Sequence, residues 1–486
     1  MLFHTPFFPS LRARLAALGQ RTAQSLRGLD FPPLAEKLRE ILPPHLLASE
    51  DEGPNSRECI YTLRLTFECF VWQMLKPRTA CREVVRAVQA LFRSMDKGAV
   101  DEKTSAYIQA RQRLPKERLE KALESTAATA DKRVKDQGQL NGRPVKVVDC
   151  STTQLADTPA NQERYPQSSS QKPGCGFPLM KFLVFFSLGS GALLKVVMDH
   201  WKNHDLRLLQ RAWEFLSKGD ILLGDRAYAD YVTMARLPGQ GVDVVSRLSR
   251  TRKPDFRRAH KHLGRQDALF VWKKGCQQSD ILSAQEWKDV PETITVRIIR
   301  FYAMIRGRKQ RVTLATTLLD PVVYPAQQLI ALFARRWNLE LALRHLKTTM
   351  GMEELRCLSP DMAEKELLAY LVAYNLVRCL MGEAVALAGV EMERVSFKGT
   401  VDAVRQYAAA IAAARNKRKR QQLWDDLVAT LVRDLVPLRP GRKEPRATKR
   451  RPKPYPLLNK PRHQYKETPH RSRYRKIKHS KNRSLI

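Results

Sequence analysis

Val145-Lys146-Val147-Val148-Asp149 and Ile221-Leu222-Leu223-Gly224-Asp225 are two short apolar runs that each end on an acid. Both have strand length and composition, and the first passes into the polar, turn-like Cys150-Ser151-Thr152-Thr153. Between them lie two further strands, Phe182 to Leu188 and Ala192 to Met198, joined at Gly189-Ser190-Gly191, and then a helix from His204 to Leu216. After Asp225 come Arg226-Ala227-Tyr228, a helix over Asp230 to Leu237 and a strand over Val242 to Leu248. Three consecutive strands with short connections, followed by an alternating half, predict an α/β fold: a mixed sheet with helices on both faces.

This order is the ribonuclease H-like order, in which the first and fourth strands lie side by side. Asp149 and Asp225 then project to one edge of the sheet. A third acid comes later, in Phe333-x2-Arg336-x3-Glu340-x6-Lys347. At about 100° per residue, Phe333, Arg336, Glu340, Arg344 and Lys347 fall on one side of a helix, while Leu332, Leu339, Leu343 and Leu346 form an apolar stripe. By itself this is equally a surface helix with intrahelical Glu–Arg pairs. Beside Asp149 and Asp225, Glu340 completes a set of three carboxylates able to bind two divalent cations, with oxygen donors that favour Mg²⁺ or Mn²⁺.

The chain resembles the DDE transposases of the insertion-sequence four (IS4-like) family, whose signature is Tyr-x2-Arg-x3-Glu-x6-Lys. Arg336, Glu340 and Lys347 match it in residue and spacing, and Phe333 replaces the tyrosine. Further resemblance lies in Asp149-Cys150-Ser151-Thr152-Thr153 with Asp157-Thr158-Pro159 and Asn161, in Tyr165-Pro166-Gln167 through Gly174-Cys175-Gly176-Phe177, in Trp201-Lys202-Asn203-His204-Asp205, and in Gly224-Asp225-Arg226. It spans roughly Phe67 to Met381. The resemblance implies an enzyme that binds the inverted-repeat ends of an insertion sequence, nicks them, passes through a DNA hairpin and joins the 3′ ends to target DNA. Asp149, Asp225 and Glu340 are the implied catalytic and metal-binding residues. Arg336 and Lys347 are implied to hold phosphates, with Arg344 and Arg226 as further DNA-binding candidates.

Composition points to the same partner. The 86 Lys+Arg against 49 Asp+Glu give a net charge of +37, as expected of a protein that holds a polyanion. Arg439 to Ile486 carries 18 Lys+Arg and two acids, so +16 of the +37 sits in this arm and +21 on the body. Rich in Pro, Lys, Arg and His, with Tyr455, Tyr465 and Tyr474 interleaved, the arm reads as disordered and phosphate-contacting, or as a merely solvated basic run.

Other classes are set aside. The eight cysteines lack zinc spacing and read as reduced packing residues of a cytosolic protein. Phe7-Phe8-Pro9-Ser10 is too short and broken for a secretory segment. Phe182 to Met198 is interrupted by Gly189, Ser190, Gly191 and Lys195, which suits a buried hairpin better than a membrane span. The expected partner is double-stranded DNA with no membrane, the expected form a homodimer on DNA, and the expected location the bacterial cytoplasm at the nucleoid.

The organisation follows from composition shifts. Residues 1–136 are helical and bind DNA ends through helices carrying Arg78, Arg82, Arg86, Arg111, Arg113 and Lys116, or these arginines merely coat a structural bundle. Residues 137–248 are the first part of the catalytic core, and 249–319 a β-rich insertion with strands at Ala268 to Trp272, Thr293 to Ile299 and Arg311 to Thr316. There Trp272, Trp287 and Phe270 are core residues or base-stacking ones, and Arg247, Arg250, Arg252, Lys253, Arg257 and Arg258 are phosphate contacts or solvated. Residues 320–390 return to the core with the glutamate helix and a buried helix from Glu366 to Leu387. A helical region follows over 391–438, with a helix expected from Ala403 to Leu435, and then the arm 439–486. Asp157, Asp205, Glu353-Glu354 and Asp230 read as helix caps or solvent-exposed acids. Two rivals remain: a nuclease of the same fold that cuts without joining, and a non-catalytic, domesticated or decayed DNA-binding protein.

Overall fold

The computed structural model describes residues 40–47, 60–94, 98–134, 137–249, 251–305, 308–414, 416–437, 460–461 and 464. The helical pattern expected from Phe3 to 39, all but three residues of the arm 439–486, and Arg250 lie outside them. Among the described residues, a 3₁₀ turn at Pro44–Leu47 precedes the helices α1 (Leu63–Leu75), α2 (Cys81–Ser94), α3 (Ser105–Arg113) and α4 (Lys116–Val134). Thr62 caps α1 by accepting from the Leu65 amide at 3.2 Å. Along α4, Leu119, Ala122, Leu123, Thr126, Ala127, Ala130 and Val134 are buried at helical spacing, so one stripe docks on the core.

The sheet begins with β1 (Gln139–Leu140) and β2 (Arg143–Leu155), followed by a short helix α5 (Pro159–Arg164). Next come β3 (Leu179–Ser187), β4 (Leu193–His200), α6 (Asp205–Gln210), β5 (Ile221–Gly224), α7 (Tyr231–Gly239) and β6 (Asp243–Arg247). The segment before the glutamate helix supplies β7 (Lys261–Gly264), β8 (Asp267–Lys273), α8 (Ala284–Asp289), β9 (Thr293–Ile305) and β10 (Arg308–Thr316). The strands lie in the order β4-β3-β2-β5-β6-β10-β9-β8-β7. β2, β3 and β4 pair antiparallel, whereas β2, β5 and β6 run parallel with Val147 opposite Leu223. The first and fourth strands of the core are thus neighbours, as the element order requires.

Two expectations are corrected. β2 does not stop at Val148 but runs on through the segment read as a turn, because Asp149 to Gln154 remain paired with Val184 to Leu179 of β3. The expected helix from His204 to Leu216 is only α6 and a 3₁₀ turn, Trp213–Phe215. The β-rich segment continues the same sheet, since β10 pairs with β6 through Leu314 opposite Arg247.

Alternation along the strands divides the core into two. Val145, Val147, Ile221 and Leu223 face one cluster, under α4 and α1, and Val148 and Leu222 face the other, under α6 and α7. A period of two therefore carries residues 145, 147 and 149 to the first face together. That face is also covered by the later elements α9 (Ala326–Arg335), α10 (Trp337–Arg344), a π-helical turn at His345–Thr349 and the long α11 (Pro360–Ala388), while β11 (Glu354–Leu355) joins the sheet beside β2. α11 is apolar and long enough to cross a membrane, yet 78% of its most apolar window is buried inside the protein. Where one helix was expected from Ala403 to Leu435, two occur, α12 (Phe397–Ala413) and α13 (Lys417–Arg433), the second capped by Asn416, which accepts from the Lys419 amide at 2.8 Å. All seven cysteines among the described residues are free thiols.

The lead-in to α9 is pinned from two sides. Arg297 on β9 is fully buried and grips Asp267 through Nε at 2.8 Å, while its Nη1 donates to the Tyr324 carbonyl at 2.7 Å. From the start of β2, Arg143 donates to the Tyr324 hydroxyl at 3.0 Å and Asn141 to the Val323 carbonyl at 2.6 Å. A guanidinium taken wholly out of water must satisfy its donors in this way.

Candidate active site

β2 pairs with β5 only as far as Val147, so Asp149 sits where the central strand has lost that neighbour and its side chain has room. Asp149 Oδ1 accepts from the Cys150 amide at 2.9 Å. Asp225 leaves the end of β5 and caps a 3₁₀ turn, accepting from the Ala227 amide at 2.8 Å. Burial first and the nearby charge of Asp225 second raise the Asp149 carboxyl from the ordinary 3.8 to about 6, against the pull of the Cys150 amide and Arg336. The two aspartates therefore meet at one edge of the sheet.

Arg336 and Lys347 arrive at the same edge. Lys347 is held below its usual range by burial, while the charges of Glu353 and Asp149 oppose that shift. Arg336 lies over the Phe333 ring at 5.6 Å, and its Nη2 donates to Glu340 Oε1 at 3.3 Å. Glu340 is 59% exposed and spends its carboxylate on this i,i+4 pair. Among the described residues, no three His, Cys, Asp or Glu side chains converge closely enough to hold a metal ion.

The expected single helix face is also corrected. The helix breaks at Arg336, between α9 and α10, and then loosens into the π turn that carries Lys347. Phe333 is buried in the core and Glu340 is exposed, with Arg336 between them, over the ring of the first and bonded to the second. Of the expected apolar stripe, Leu332 and Leu346 are buried and Leu343 half-buried, and the Leu339 side chain lies outside what the structure describes.

The remaining candidates divide by exposure. Arg226, Arg344 and Arg113 are exposed. Arg111 is 7% exposed, with its guanidinium 5.0 Å from the Phe70 ring centroid and 5.1 Å from that of Tyr107. As a packing cation, Arg111 is not placed to reach a phosphate. Asp205 does not cap its helix; His204 does, and Asp205 pairs with Lys181 at 2.6 Å. Its charge reaches Asp149 and Cys150. No pattern in the sequence links Lys181 on β3 to Asp205 on α6. Asp230 caps α7 and Asp157 is exposed, as read.

Donor chemistry bears on whether a divalent cation fits. Asp149 and Asp225 are both half-buried and form no ion pair among the described residues, and their hard oxygens suit a divalent ion. The third expected donor, Glu340, stands apart on Arg336.

Residues 140–376 match the family described as the transposase DDE domain. The transposase InsG of insertion sequence element IS4 from Escherichia coli (strain K12) is 26% identical over 360 residues, covering 73% of this chain and 78% of its own. The chain is a DDE transposase of the IS4-like family. Residues 140–376 contain Asp149, Asp225 and Glu340, and the matched family works on DNA with divalent metal ions. A cryo-EM structure of a piggyBac transposase synaptic complex with hairpin DNA aligns with 82% of this transposase and 82% of its own chain, at 10% identity and a TM-score of 0.40. At that distance the strand order, rather than the likeness, carries the description of the fold.

Proposed function

We propose that this DDE transposase binds the inverted-repeat ends of an insertion sequence, cuts them by phosphodiester hydrolysis and joins the freed 3′ ends to target DNA. The reading rests above all on Asp149 and Asp225 meeting across two adjacent parallel strands, beside Arg336 and Lys347. The sheet order supports a ribonuclease H-like core over 137–248 and 320–390, interrupted by the segment 249–319. In this reading 1–136 engages DNA ends, 391–438 is a helical annex and 439–486 a basic arm.

Asp149 and Asp225, with Glu340, would hold Mg²⁺ or Mn²⁺. When bound, such ions supply an activated oxygen nucleophile and stabilise the leaving oxygen. Glu340 is 59% exposed and free to turn away, but the Arg336 side chain is 11% exposed and needs another acceptor once the pair opens. Freed of Glu340, Arg336 donates to the strand, and Lys347 offsets the repulsion between clustered carboxylates and the phosphate backbone. Hydrolysis and joining use one site because each displaces oxygen at phosphorus with a different oxygen. A hairpin step, a homodimer on DNA and a place at the nucleoid complete the proposal on family likeness.

The test is cleavage and joining of a labelled DNA bearing the locus's own inverted repeat, with Mg²⁺, for wild type and Glu340→Ala. Joined products that vanish in the variant are expected. Cutting without joining would make the protein a nuclease, binding without cutting a relic, and cutting that survives Glu340→Ala would remove Glu340 from the site.

A further inference from the structure

Beside α10, the helix that carries Glu340, lies a cavity of about 260 Å³. Its floor is Val147, two residues before Asp149 on the same strand, and its wall is the β3–β4 turn at Leu188 to Gly191. Four cations line it, Arg335, Arg344, Arg378 and Lys398, against one acid, Glu393. Arg335 pairs with that acid at 3.8 Å, and Lys398 pairs with Asp402 on its own helix. Arg344 and Arg378 have no ion pair among the described residues.

Arg378 is the unusual one. It is 8% exposed on α11, and its Nε donates to the neutral Tyr374 hydroxyl at 2.8 Å. Its guanidinium lies against the rings of Tyr374 and Phe397, at 5.2 and 5.6 Å. Room for it depends on Gly191, where a Cβ would stand 2.9 Å from the guanidinium carbon at φ +66°. A buried cation without a carboxylate is costly unless an anion comes to it. The neighbouring His345 registers the same field: stacked on Phe397 at 4.6 Å, it is held near pKa 4 by burial, Arg378 and Arg344, and its Nδ1 is buried without a partner.

We infer that this cavity is a phosphate-binding site, in which Arg378 and Arg344 together bind one phosphate group. Guanidinium forks match the oxygens of a phosphate in number and plane. The phosphate comes either from a DNA strand or from a free phosphoanion, and none of Asp149, Asp225 and Glu340 lines the cavity, so it stands or falls independently of the proposed reaction.

The experiment uses the full chain with labelled histidines and a chelator present, titrated with inorganic pyrophosphate and, separately, with a short single-stranded oligonucleotide. Saturable movement of the His345 resonance is expected. Arg344→Gln, an exposed substitution that leaves the packing alone, is expected to weaken that binding at least tenfold, and Arg378→Gln at least as much. Movement with both probes assigns the site to free phosphoanions, and movement with the oligonucleotide alone assigns it to DNA. No movement with either, or movement unchanged by Arg344→Gln, would overturn the inference.

Discussion

Replacing Asp149 by Asn should make the metal-free transposase more stable at neutral pH while ending its chemistry. The Asp149 carboxyl is raised in the fold from 3.8 to about 6, by burial first and Asp225 second. A group whose proton affinity is greater in the folded state stabilises the fold when protonated. That contribution is whole below the unfolded pKa, is lost as pH rises through the folded one, and is gone above it. At about 1.4 kcal/mol per tenfold in proton affinity, the loss on going from pH 3.8 to above about 6 is about 3 kcal/mol. Asn keeps the acceptor for the Cys150 amide, which lies 2.9 Å from Asp149 Oδ1, and carries no charge at any pH. Urea unfolding with a chelator should therefore show Asp149→Asn ahead of wild type by up to about 3 kcal/mol at pH 7.5, with the gap closing towards pH 4. A gap that is constant with pH, or a variant weaker at pH 7.5, would refute the argument that burial and Asp225 strain this carboxylate.

Three further outcomes follow from the same structure. Mg²⁺ added to the chelated protein should raise the unfolding temperature of wild type but not of Asp149→Asn; equal rises would show binding elsewhere. Glu340→Gln should abolish cleavage of a labelled DNA end while lowering stability by no more than about 1.5 kcal/mol, because Gln keeps an acceptor for the largely buried Arg336; a larger fall in stability would show that the side chain is structural. Arg297→Met should cost about 3–5 kcal/mol, since it strands a largely buried Asp267 and frees the lead-in to α9, and a thermal unfolding midpoint equal to wild type would contradict that.

The parts of this protein legible in its sequence are those with a repeating signal. Strand order showed β2 beside β5, because short connections leave few topologies, and a period of two placed Asp149 on the face of Val145 and Val147. Helical spacing revealed α1, α4 and α11. What stayed hidden depends on contacts between distant residues. The polar run after Asp149 reads as a turn until β3 is known to pair with it. The interruption at Arg336 and the π turn that follows change the helix without any Gly or Pro to announce them, and nothing local tells that Phe333 is buried while Glu340 is exposed. Arg111 carries the same charge as Arg113 two residues on, yet Phe70 and Tyr107 enclose the first and leave the second to solvent. Nothing in local sequence records that difference.

The pairing of β10 onto β6 has a consequence for how the chain stays dispersed. Without it, the sheet would end on β6, whose middle residues Val244, Val245 and Ser246 are buried, a bare rail on which a second molecule could add a strand. Instead the outermost strand on that side is β7, four residues long, with exposed Lys261 and His262. Short length and positive charge make it a poor template for growth. The segment between β6 and α9 therefore blunts the sheet, so that removing it would be felt first as clumping of newly made protein.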